Sequence, residues 1–132
     1  MIRKFFPILA GAAAMVALPA QADQRRTPEQ QLEHALRGRV AGEPVDCVNL
    51  RLIRGSQVIN GTAILYDAGN TIYVNRPRAG AEVLSDWATQ VVEPFNSRLC
   101  SIDTVRMVDR SGGMFRGTVF LGEFVPYRRV RD

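Results

Sequence analysis

Two cysteines, one histidine and a scatter of acids and arginines are what this 132-residue chain offers for chemistry. Cys47 and Cys100 are the only thiols. An even, widely spaced pair reads as a structural disulfide in an oxidising compartment. Closing a loop of that length contributes about 4 kcal/mol in the chain-entropy picture. Redox exchange calls for C-x-x-C, which is absent, and two separated thiols with one histidine cannot fill a zinc site. His34 falls roughly opposite Leu32 on a helical wheel and reads as a surface residue, so neither a metal nor a cofactor is expected.

The main catalytic constellations are missing. The chain has no G-x-S-x-G, no glycine-rich phosphate loop and no spaced His/Asp cluster. A pair of carboxylates remains, with Asp67, Asp103 and Asp109 as candidates for acid and base. Asp103 with Arg106, and Asp109 with Arg110, read more simply as ion pairs. The chain is therefore expected not to be an enzyme, with a carboxylate-based hydrolase as the minor alternative.

Arginine dominates the positive charge. Arg3 and Lys4 fall in the N-terminal leader described below, which leaves fifteen of seventeen cations against thirteen acids, a net charge of +2 without lysine. Arginine binds phosphate, sulfate or carboxylate through two parallel hydrogen bonds, which lysine cannot do. Two stretches place an aromatic beside a pair of arginines: Tyr73 with the Arg76-Pro77-Arg78 loop, and Tyr127-Arg128-Arg129. Both are candidate anion-binding sites, weighed against scattered arginines on a solvated rim.

The elements that must position these residues begin after a leader. Residues 1–22 show a positive start, an apolar run from Phe5 to Leu18, Pro19, and the small-x-small signal Ala20-Gln21-Ala22. That is the pattern of a cleavable signal peptide cut after Ala22, too short in its apolar run to span a bilayer. Residues 23–132 are then one domain, periplasmic or secreted, with no membrane span. Thr27-Pro28-Glu29-Gln30 is a capping box, and Leu32, Ala35 and Leu36 continue as a short amphipathic helix that stops near Gly38.

After Cys47 the period changes to two. Val48, Leu50 and Leu52 alternate as a strand, and Asn60-Gly61 predicts a type I′ hairpin into the doubly apolar Ala63–Tyr66. Asp67-Ala68-Gly69-Asn70 turns into the strand Thr71–Val74. Residues 84–92 fit a strand or a helix, and Pro94 favours the strand. Alternation resumes from Ile102, turns at Ser111-Gly112-Gly113 and returns through Thr118–Leu121. Pro126 places the last stretch at an edge or outside the sheet, and the arginine-rich tail reads as frayed. The expected fold is mainly β: a small antiparallel sheet or barrel-like domain of six or seven strands, one short N-terminal helix and one disulfide.

GTAILYD at 61–67 and GTVFLGE at 117–123 repeat one pattern, each downstream of a cysteine. They read as the two central strands of the sheet, each carried by a hairpin that a cysteine begins, with the disulfide joining the hairpins. The segments GTAILYDAGNTIYVNRPRAGAE, LCSIDTVRMVDRS and FVPYRR resemble small exported bacterial proteins with no assigned function. That resemblance implies a shared fold and export, and transfers no catalytic or binding residue. The functional expectation is a non-enzymatic exported domain that binds an envelope component or a protein partner. The alternative is an arginine-based module for nucleic acid, lipopolysaccharide or acidic glycan.

Overall fold

The computed structural model describes Gly11, residues 26–92 and residues 96–130; apart from Gly11, the expected signal peptide lies outside the described residues. Helix α1 covers Pro28–Ala35. Its capping box forms as expected: the Gln30 amide donates to Thr27 Oγ1 at 3.2 Å, and the Thr27 amide donates to Gln30 Oε1 at 2.9 Å. Each bond satisfies an N–H that the helix start leaves open. Leu32 and Leu36 are buried and His34 is exposed. Gly38, at φ +77°, turns the chain out of the helix.

Ten strands follow: β1 (Arg39–Ala41), β2 (Cys47–Asn49), β3 (Gly55–Ile59), β4 (Ala63–Asp67), β5 (Thr71–Asn75), β6 (Ala88–Val91), β7 (Arg98–Cys100), β8 (Thr104–Asp109), β9 (Phe115–Phe120) and β10 (Phe124–Arg129). One antiparallel sheet has the order β1-β10-β5-β4-β3, a second β6-β8-β9, and β2 pairs with β7 alone. Among the described residues the fold is mainly β with one α-helix. The count exceeds six or seven because β1 and β7 have three residues each, too few to display a period, and because the final stretch pairs inside the sheet as β10.

The five-stranded sheet is the middle layer. On one face Ile59, Ala63, Leu65 and Val74 pack with Leu32 of α1 and with Leu36, which caps its C-terminus. On the other, Ile64, Tyr66 and Phe124 pack with Val105, Met107 and Val119 of the three-stranded sheet and with Val48 and Leu99 of the ladder. This is why Ala63–Tyr66 is apolar without alternation: β4 is covered on both sides. Each fully buried Ile or Leu contributes about 1.5–3 kcal/mol relative to exposure.

Several sequence expectations are corrected. Cys47 opens β2 but Cys100 closes β7, and the two face each other in the ladder. Their disulfide therefore staples β2 to β7 and does not join two hairpins. Beyond Asn49 the expected strand becomes a 3₁₀ turn over Leu50–Leu52, because Asn49 Oδ1 accepts the Arg51 amide at 3.0 Å. At Asn60-Gly61 only the glycine has positive φ, so the turn is not type I′; a positive φ at the second central residue is the type II requirement.

The two GT heptads are not equivalent. Gly61-Thr62 forms the turn before β4, an interior strand, whereas Gly117-Thr118 lies inside β9, the last strand of its sheet, and Phe120 there is 44% exposed. Between residues 84 and 92 the strand is confined to Ala88–Val91, leaving Trp87 outside it. Pro126 sits in an interior strand. Its carbonyl accepts the Gly42 amide at 2.7 Å, and its nitrogen faces the same side, past the end of β1, where the ladder needs no donor. Arg128 and Arg129 are not frayed but pair with Val40 and Arg39.

Candidate functional site

The six residues marked for anion binding are not gathered into one site. Arg76 grips Glu29 of α1 with both guanidinium nitrogens, at 2.9 and 3.0 Å. That hydrogen bond, and then the guanidinium charge, hold the Glu29 carboxyl below its usual range. Arg78 turns back to protein acceptors, donating from Nε to the Leu121 carbonyl at 2.7 Å and from a terminal nitrogen to Ser101 at 3.4 Å. Tyr73 packs on the core between the sheets and Tyr127 on the helix side, so the sheet separates them. Arg128 and Arg129 lie at the end of β10, beside Asn70 and Thr71, on an open depression.

The three candidate carboxylates hold turns. Asp67 Oδ1 accepts the Gly69 amide at 2.8 Å, and Asp103 Oδ2 accepts the Cys100 amide at 2.7 Å. Asp109 accepts both the amide and the hydroxyl of Ser111 and pairs with Arg116 at 3.1 Å, not with the expected Arg110. Among the described residues no three His, Cys, Asp or Glu side chains converge as a metal site would require.

What the chain does assemble is a groove between two sheet edges. β3 ends the five-stranded sheet and β6 ends the three-stranded sheet. The two edges meet at one end, where the Gly61 amide donates to the Leu84 carbonyl at 3.1 Å and the Asp86 amide to Asn60 Oδ1 at 2.8 Å. Farther along, the link passes through side chains: Gln90 Nε2 donates to Ser56 Oγ at 3.1 Å. The edges thus splay, and Ser56, Gln57, Val58, Thr89 and Gln90 line an opening of about 340 Å³ with Asp86 and Arg110 at its rim.

A buried phenol holds one of the lining side chains, Gln90. Tyr66 reaches out from β4 and donates to Gln90 Oε1 at 3.0 Å. Burial pushes its hydroxyl pKa up, further from neutral pH, where a phenol already is a donor. With its oxygen accepting, Gln90 must present its NH₂ to Ser56. Neither edge strand carries a charge or a proline. The opposite sheet ends differ: β1 carries Arg39, and β9 is covered where Phe120 exchanges backbone hydrogen bonds with Arg78 and Ala79, both at 2.9 Å.

Sequence reasoning missed Ser56, Tyr66 and Gln90 as a unit. A signal existed in the near repeat of Ser56-Gln57-Val58-Ile59 and Thr89-Gln90-Val91-Val92, two polar-start strands that face each other. No family model, no curated protein and no solved structure matches the chain.

Proposed function

We propose that this is an exported, disulfide-tied, non-enzymatic β-domain that binds a protein partner by taking an extended segment onto the β3 and β6 edges. The observation that carries this reading is the splayed groove between two uncharged, proline-free edges. Sheet edges without charge, proline or cover are templates for an added strand. Main-chain hydrogen bonds there contribute about 0.5–1.5 kcal/mol each, so a short edge holds a partner weakly and reversibly. Gln57, Thr89 and Gln90 supply polar contacts around the added backbone. Export is supported by the leader pattern and by the Cys47–Cys100 bridge, of a kind common in oxidising compartments and rare in a reducing cytosol.

Panning a phage-displayed library of random dodecapeptides on the oxidised protein tests this. Selected peptides should bind in a β conformation and lose about tenfold in affinity, equivalent to 1.4 kcal/mol, when Gln57→Lys or Thr89→Lys guards an edge. Selected peptides that bind both lysine variants as tightly as the parent, or a library that yields no binders, would overturn the reading.

A further inference from the structure

The outer face of the three-stranded sheet lies away from the core and borders the groove along β6, where Thr89 belongs to both. Its inward residues Ala88, Val105, Met107 and Val119 are buried. On the outer face Thr89, Val108 and Phe115 stand in one row across the strands, and Val91, Arg106 and Thr118 in the next. Around them Trp87 is 51%, Phe115 53% and Met114 66% exposed.

A bulge makes this arrangement. Met107 faces Gly117 but Val108 faces Phe115, which leaves Arg116 as the extra residue in β9. In unbroken register Phe115 would stand opposite Asp109, on the other side of the sheet. The shift carries Phe115 to the outer face and re-aims Arg116. Arg116 lies over the Trp87 ring at 4.4 Å, and Arg106 over the Phe115 ring at 5.3 Å. The hairpin 104–120 carries Arg106, Arg110 and Arg116 against Asp109, whose charge Arg116 already meets. Exposed aromatic and Met side chains interleaved with cations, beside a Ser-Gly-Gly tip, form a surface that water alone disfavours.

We infer that this face docks the protein on an anionic lipid surface, with Trp87, Phe115 and Met114 entering the headgroup layer and the arginines meeting lipid phosphates. The cationic hairpin complements a negative membrane surface, and amphipathic ring–guanidinium pairs suit an interface that is apolar below and charged above. A nucleic acid is the less suitable occupant. Its bases need ring faces for stacking, and a guanidinium already lies on each ring. The apolar anchors Trp87, Met114 and Phe115 do not line the groove, whereas Arg110 does, so Phe115→Ser and Met114→Asp are the variants that separate this face from peptide capture.

Trp87 is the chain's one tryptophan, so its fluorescence reads this face alone. Oxidised protein is titrated with vesicles of equal parts phosphatidylglycerol and phosphatidylcholine, with phosphatidylcholine alone, and with oligothymidylate. The expected result is a blue shift and co-sedimentation with the anionic vesicles only, weakened by moderate salt. At about fivefold per arginine near such a surface, Arg106→Gln with Arg110→Gln lowers partitioning about 25-fold. Phe115→Ser and, at the hairpin tip where the fold is not at stake, Met114→Asp should each weaken binding while peptide capture in the groove persists. A response to oligothymidylate without one to vesicles, equal binding to both vesicle types, no vesicle binding at all, or full binding by Met114→Asp would overturn the inference.

Discussion

Asn75 and Gly122 hold each other by two hydrogen bonds inside the core: Asn75 Nδ2 donates to the Gly122 carbonyl at 2.7 Å, and the Gly122 amide donates to Asn75 Oδ1 at 3.0 Å. The side chain imitates a strand partner for a loop between β9 and β10 that has none. Asn75 is the buried polar side chain among the described residues, and a Cβ on Gly122 would run into the Arg76 carbonyl oxygen. Asn75→Ala leaves a donor and an acceptor buried and unpaired, at about 1–3 kcal/mol each. Urea unfolding of Asn75→Ala should show a loss of about 2–5 kcal/mol. A loss under 1 kcal/mol would mean that water replaces the amide.

The disulfide staples a ladder that is too short to stand alone. β2 and β7 have three residues each, and Cys47 faces Cys100 directly. Reduction, or Cys47→Ala with Cys100→Ala, should lower unfolding stability by about 4 kcal/mol, mainly through the denatured chain. Denaturant midpoints of oxidised and reduced protein at one pH measure this directly. Equal midpoints would show that Val48 and Leu99, both buried, hold the ladder without the bridge.

How much of this was legible in the sequence depends on the range of the interaction. The Thr27–Gln30 box and the coverage of Ala63–Tyr66 were readable because one is local and the other leaves an unbroken apolar run. The 3₁₀ turn after Asn49 was hidden because a side chain there competes with the alternating pattern. Arginine identity does not reveal arginine role: Arg78 donates to the Leu121 carbonyl, Arg106, expected beside Asp103, lies over the Phe115 ring, and Arg116, given no role by the sequence, lies over the Trp87 ring. The Tyr66–Gln90–Ser56 chain joins two sheets, and nothing short of their packing brings those residues together. The bulge at Arg116 is set by register against β8, a long-range property that alternation in β9 alone does not encode.

Gly117 is predicted to control that bulge. Its φ is +149°, and a Cβ would lie 2.7 Å from Val83 Cγ1. Gly117→Ala should destabilise by about 1–3 kcal/mol through backbone strain and the clash together. Val83→Ala in the same chain removes the clash but leaves the strain, so rescue should be partial. Trp87 emission should change in Gly117→Ala even where the protein stays folded, because moving the bulge moves Arg116 off the ring. Unchanged emission would show that Arg116 keeps its place without the bulge.

Asp109 should make the same ring sensitive to acid. The Ser111 amide, the Ser111 hydroxyl and Arg116 hold its carboxyl below the usual aspartate value of 3.8. A depressed folded pKa means that the stabilisation is complete above 3.8 and is lost as pH falls through the lower folded value. Protonated Asp109 releases Arg116, and with it the guanidinium over Trp87. Trp87 emission in the folded protein should therefore shift in strong acid, and added salt should shrink the change because the pair is partly open to solvent. Asp109→Asn should abolish the transition, whereas Glu29→Gln, which breaks a similar carboxylate pair at α1, should leave it in place. An acid shift that survives Asp109→Asn would assign the ring's response to another group.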